Sequence, residues 1–237
     1  PASGCVTIST EFSDLQLAVY TTPLCSKFFY YQEVAANDDS GPIFAPLLEN
    51  LSVTPGQEYY VQVDGYNGTT TADDQILVTD GAGPIPAPWA STHIAPAVGD
   101  FSYVDCGETF TMSSNGYSSP FTDQGGYVTQ TLCGNGYIQA RLDDIDGSGW
   151  AGIVMRESLS GSSKKIALKS RLSTFVRRDL RKSSPGWAQS QQYPRPTGWN
   201  WLRLERIDDQ FVGFVSEDGQ NWQQVMAAFV PMNDCLQ

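Results

Sequence analysis

The chain reads as all-β: two antiparallel β-sandwiches of the jelly-roll type in tandem, joined by a Pro-rich linker. Three observations predict this. Short segments rich in β-branched and aromatic residues, alternating apolar with polar, recur through the 237 residues and are divided by Gly, Asn, Asp and Pro turns. No segment carries a convincing amphipathic-helix period, and no internal repeat appears. Charge is also unevenly divided: residues 1–93 hold eleven carboxylates against Lys27 alone, while the remainder holds fifteen carboxylates and thirteen bases. A boundary near residue 90 therefore separates two electrostatically different bodies.

The first module is placed at residues 1–80, with strands expected at CVTIST, LQLAVYT, YYQEVAA, ENLSVT, EYYVQVD and QILVT. Residues 81–91, GAGPIPAPWAS, form the linker, since Pro84, Pro86 and Pro88 favour an extended, semi-rigid spacer. The second module takes residues 92–237. After FSYVDCG and ETFTMSS, its strands are expected near GGYVTQTL, YIQARL, AGIVMRE, KIALKS, TFVRRDLR, WLRLER, FVGFVS and WQQVMAAFV.

Composition excludes some functions. A formal net charge of −12 and a single histidine, His93, argue against a nucleic-acid binder, which needs a basic footprint. No apolar run is long enough to span a bilayer, so membrane insertion is not expected. The five cysteines, Cys5, Cys25, Cys106, Cys133 and Cys235, form no CxxC pair and have no nearby histidines, which favours disulfides in an oxidising compartment over zinc. Cys5 and Cys25 flank the LQLAVYT segment and are expected to pair. Three cysteines then remain for the second module, leaving one unpaired or bonded elsewhere.

Two resemblances sharpen the fold. The pieces PASGCVTIST, LQLAVYT, AANDDSG, LSVTPGQEYYVQVDGYNG and DDQILVT resemble the prepeptidase C-terminal type of β-sandwich, a non-catalytic appendage of secreted bacterial enzymes and adhesins. That family has strands before the ASG turn, so the module is expected to be incomplete at its N-terminus. GNGYIQARLDDI, GWAGIVMRES, SKKIALKS, WLRLERIDDQFVGFVSEDGQNW and VPM are similar to laminin-G-like or concanavalin-like sandwiches of large secreted bacterial surface proteins, of the kind exported in the Bacteroidota. Relatives continue past VPM with one more strand, so this module is expected to be incomplete at its C-terminus. The resemblances imply a non-catalytic extracellular structural or adhesive segment. With unpaired sandwich edges, they also imply a self-assembling fibre subunit completed by strands of neighbouring copies. The alternative is a carbohydrate-binding module appended to a secreted enzyme or adhesin.

The carboxylate groups Asp143, Asp144 and Asp146, then Asp208 with Asp209, then Glu217 with Asp218, fall in turns without the spacing a glycosidase needs, so no catalytic residues and no enzyme are expected. Asp144 and Asp146 open a DxDG turn that lacks the remaining calcium ligands, and Asp38 and Asp39 are weak calcium candidates beside Asp64. No other cofactor is expected. Trp187, Tyr193 and Trp199 lie in a turn-rich region where aromatic faces can stack on sugar rings, so glycans are candidate partners. Trp150, Trp201 and Trp222 fall where the concanavalin-like pattern has buried tryptophans, and the resemblance assigns them to the core. Finally, Lys164, Lys165, Lys169, Arg171, Arg177, Arg178, Arg181 and Lys182 place eight of fourteen bases in one hairpin. Alternation turns Lys165, Lys169, Arg171, Arg177 and Arg181 to solvent, an assembly face for acidic domains of the same protein or of a second copy.

Overall fold

Alternation along the strands decides where each core sits, and a computed structural model places those strands. It describes residues 4–10, 14–23, 30–41, 44–54, 56–65, 75–104, 106, 108–117, 119–147, 149–171 and 174–237. The molecule is all-β, built of antiparallel sheets. It divides into two units, Pro1–Pro86 with Phe101–Thr111, and Ala87–Asp100 with Met112–Gln237.

In the first unit, β1 (Cys5–Thr10) lies between β4 (Leu47–Ser52) and β6 (Ile76–Asp80), and β2 (Leu15–Thr21) between β3 (Gln32–Asn37) and β5 (Tyr60–Gly65). Period-two alternation turns Val6 and Ile8 of β1 and Leu17 and Val19 of β2 inward, where they meet Leu48 in a small core. A third sheet joins β7 (Ala82–Gly83), β9 (Phe101–Val104) and β10 (Thr109–Met112). Two expectations are corrected here. Residues 101–111, expected in the second module, belong to the first unit. Cys5 pairs with Cys106 rather than Cys25, because that returning segment brings Cys106 to a Cα separation of 6.2 Å from Cys5. Cys25 lies outside the described residues.

The stretch expected as a linker contributes strand at both ends. Ala82 and Gly83 pair with β9, and β8 (Ala90–Ile94) pairs with β11 (Gly125–Thr129), so the division falls after Pro86.

The second unit stacks two four-stranded sheets. One, in spatial order, has β13 (Gly136–Arg141), β18 (Trp201–Ile207), β19 (Gln210–Ser216) and β20 (Gln223–Phe229); the other has β14 (Ala151–Arg156), β15 (Lys165–Ser170), β16 (Phe175–Arg181) and β17 (Gln189–Pro194). Leu202, Leu204, Phe211, Val215 and Met226 of the first sheet meet Ile153, Met155, Ile166, Leu168, Val176 and Leu180 of the second, each at most 5% exposed. Burying each such side chain is worth roughly 1.5–3 kcal/mol. Gly213 makes room for its cross-strand neighbour: a Cβ there would lie 2.7 Å from Met226 Cε and 2.9 Å from its Cγ. β12 (Leu132–Cys133) pairs with β21 (Cys235–Leu236), which sets Cys133 directly opposite Cys235, and they are bonded. Two disulfides fit an oxidising environment. Among the described residues no helix is long and apolar enough to cross a membrane.

Candidate functional site

The outer face of the β14–β17 sheet is built by the same alternation that fills the core. As Val176 and Leu180 turn inward, Arg177, Asp179 and Arg181 turn outward, and the ladder register aligns Arg156, Lys165 and Arg181 across three adjacent strands. Three neighbouring cations repel. Their counter-charge is Asp123, from the segment preceding β11: its carboxylate accepts from Arg181 Nη1 at 3.0 Å and Nη2 at 3.1 Å and from Lys165 Nζ at 2.5 Å, with Arg156 Nη2 at 3.5 Å. All four side chains are buried. Burial alone would raise the Asp123 carboxyl, but Arg181 and Lys165 hold it below its ordinary value. Burial wins for Lys165, whose ammonium falls to about 8 in spite of Asp123.

Arg181 also fastens three loops. Its Nε donates to the Gly186 carbonyl at 3.1 Å, Nη1 to those of Gly161 at 2.9 Å and Ser163 at 3.2 Å, and Nη2 to that of Pro120 at 3.4 Å. The Ala188 amide donates to the Pro120 carbonyl at 2.7 Å and that of Asp123 to the Gly161 carbonyl at 2.8 Å. On this base stand Phe121 and Trp187, ring centroids 5.0 Å apart and planes at 85°, exposed by 58% and 59%. Two large apolar rings meet at a right angle in water on a backbone fixed by buried ion pairs, and such a corner suits a ligand's apolar face.

The expected platform is thus split. Trp187 is on the surface, whereas Tyr193 and Trp199 pack against the core, so the three do not assemble; Phe121 is the partner Trp187 has. The core tryptophans are corrected too. Trp150, Trp201 and Trp222 are half-buried outside the buried cluster, because each serves an arginine: Trp150 lies under Arg171 and Arg177 at 4.5 and 5.0 Å, Trp201 under Arg141, and Trp222 beside Arg203.

The basic hairpin is not the free face expected. Lys165 and Arg181 are buried on Asp123. Lys169 and Arg177 both pair with Asp179, which burial would raise but which these cations and Ser190 bring down to about 2. Lys164 pairs with Glu157 at 3.0 Å. Arg178 is half-buried, and Arg171 and Lys182 are exposed.

The turn acids serve their turns. Asp144 accepts the Ile145 amide, Asp143 holds Arg141, and Asp218 accepts the amides of Gln220 and Asn221, which lower its carboxyl strongly. Among the described residues, the acids close enough to share a metal ion are Asp14, Asp38 and Asp39, with ligand oxygens within 4.8 Å of one another; Asp144 and Asp146 join no such group. The acids Asp38 and Asp39 also line an open cavity of about 730 Å³ with Gln16, Tyr20, Glu33 and Asp64. Loss of solvation, then the charges of Asp38 and Asp14, raise the Asp39 carboxyl. Three carboxylates are only part of a calcium set, which takes six to eight oxygens.

Asp123, Arg156, Phe121 and Asp14 were missed from sequence. No local motif marks them; the one local signal that points to a buried counter-ion is an arginine, Arg156, at the end of the apolar AGIVM run.

No family model matches the chain, and no curated protein matches it. A solved structure of a functionally unknown protein from Saccharomyces cerevisiae is similar at a TM-score of 0.36 and 15% identity, over 62% of this chain and 81% of that one. A likeness that low carries no argument about the site.

Proposed function

We propose that the chain is a non-catalytic, extracellular structural or adhesive segment of a large secreted bacterial surface protein, built of prepeptidase C-terminal-like and laminin-G-like modules. The observation that carries this reading is the exposed Phe121–Trp187 corner, held by Arg181 over a buried carboxylate. Two exposed rings on that base offer an apolar contact surface. Two disulfides favour an oxidising location, and the turn acids Asp143, Asp144 and Asp218 are engaged by an ion pair or by backbone amides of their own turns. The test is retention of the whole chain on surfaces coated with mucin, fibronectin or collagen, with and without Phe121→Ala and Trp187→Ala. Retention on at least one coating that the double variant loses supports the reading; equal retention of both, or none on any coating, refutes it.

Self-assembly into a fibre is a second reading, favoured by β6. Among the described residues this strand lies at the edge of its sheet, with Ile76, Leu77 and Val78 exposed by 46%, 50% and 56%, and an apolar edge is a template for another strand. The electrostatic guidance expected from the basic hairpin is weakened, because Lys165, Lys169, Arg177 and Arg181 are already paired. Light scattering distinguishes the outcomes: concentration-dependent growth abolished by Leu77→Lys supports assembly through β6, and a monodisperse monomer at all concentrations refutes it.

A further inference from the structure

We infer that the outer face of the β13–β18–β19–β20 sheet holds a separate carbohydrate site, in which Arg203 and Glu205 grip neighbouring hydroxyls of a neutral sugar ring. Both residues lie on β18 and face outward, since Leu202, Leu204 and Arg206 between and beside them are buried. The Arg203 guanidinium sits 3.9 Å from the Tyr137 ring centroid and 5.7 Å from that of Trp222, which fixes its plane. Its hydrogen-bonding capacity is nevertheless unspent. Among the described residues it reaches only Glu205 Oε2, at 3.8 Å, beyond hydrogen-bond range, and its Nε is hidden from solvent without an acceptor. Arg206, three residues on, shows the contrast: it donates to the Asp208 carbonyl at 2.8 Å and the Asp234 carbonyl at 2.7 Å.

A cavity of about 130 Å³ opens beside the pair, lined by Arg203, Glu205, Phe214 and Trp222. Its parts match one chemistry. A hydroxyl accepts from Arg203 while its neighbour donates to Glu205, and the C–H face of the ring lies against Trp222 and Phe214. The opposed charges disfavour a purely anionic or purely cationic ligand, since each would meet one like charge. A vicinal diol satisfies both groups without carrying charge. This site shares no residue with the Phe121–Trp187 corner, so it stands or falls independently of it.

The experiment uses the whole chain on an array of cello-, galacto-, manno- and chito-oligosaccharides together with sulfated and uronate oligosaccharides. Tryptophan-fluorescence titration of the strongest neutral binder follows, against wild type, Arg203→Met and Glu205→Gln. The expected result is neutral binding that each of the two substitutions weakens about 10- to 100-fold, the loss of one hydrogen-bonding partner to a charged group. Glu205→Gln keeps the shape of the site and decides alone if Arg203→Met does not fold. Absence of any neutral binder, preference for anionic sugars, or affinity unchanged in Glu205→Gln would overturn the assignment.

Discussion

The two units use charge in opposite ways. By sequence the first carries thirteen carboxylates and one base, and the second thirteen of each. In the second unit the balance is spent inside, where Asp123 and Asp179 are buried among Lys165, Lys169, Arg177 and Arg181 beside a core cluster of thirteen of the described residues. Among the described residues the first unit's core cluster has five members, and its acids Asp14, Asp38 and Asp39 crowd one another. The same alternation thus builds a frame stiff enough to hold aromatic rings in water in one unit, and an acidic body in the other.

The largest way to break this comparison is Asp123→Asn. It leaves Arg181, Lys165 and Arg156 buried without their counter-charge, so the second unit should lose about 3–5 kcal/mol while the first is unchanged. Denaturant titration followed by peptide-resolved hydrogen exchange reads the units separately. Equal destabilisation of both would contradict it.

Cys133→Ser with Cys235→Ser should cost the second unit about 2–4 kcal/mol, because a cross-link over 102 residues is lost from the unfolded chain. Non-reducing peptide mapping sharpens the other half: a linked Cys5–Cys106 peptide is expected, and a Cys5–Cys25 peptide would refute the pairing.

Acid should separate the units further. Asp179, held at about 2 in the folded state, contributes stability that is full above its unfolded value of 3.8 and disappears as pH falls through 2; Asp123 acts in the same direction. Asp39 has the opposite sign, since its raised carboxyl is more easily protonated folded than unfolded, so acid relieves the first unit there. Between pH 5 and pH 2, amide protection relative to the intrinsic exchange rate at each pH should fall first in β15 and β16, and earlier loss in β3 would reverse the assignment. Smallest of all, added salt should stabilise the acidic first unit more than the second, whose paired charges are buried from counter-ions; equal salt dependence of exchange in β2 and β15 would contradict this.

Much of the strand layout was legible in sequence. β1 and β2 fall on CVTIST and LQLAVYT residue for residue, because both alternate against a core and end in turns. β17, QSQQYP, was not, because an edge strand with only Tyr193 half-buried carries no apolar pattern. The candidate site was legible only at Trp187. Asp123 lies 42 residues from Lys165 and 58 from Arg181, and Cys5 lies 101 from Cys106, so nothing local announces either pairing. Periodicity assigns a face, and only tertiary packing decides what covers it, which is why Lys165 and Arg181 read as solvated and are buried.

The most direct measurement is native-state amide exchange at Asp123 and Ala188, whose N–H groups donate to the Gly161 and Pro120 carbonyls under the aromatic corner. If buried ion pairs make that loop end part of the frame, both amides should exchange as slowly as those of β16 in the wild type and lose protection in Asp123→Asn. Exchange at the rate of an open loop in the wild type would contradict the claim that Phe121 and Trp187 stand on a rigid base.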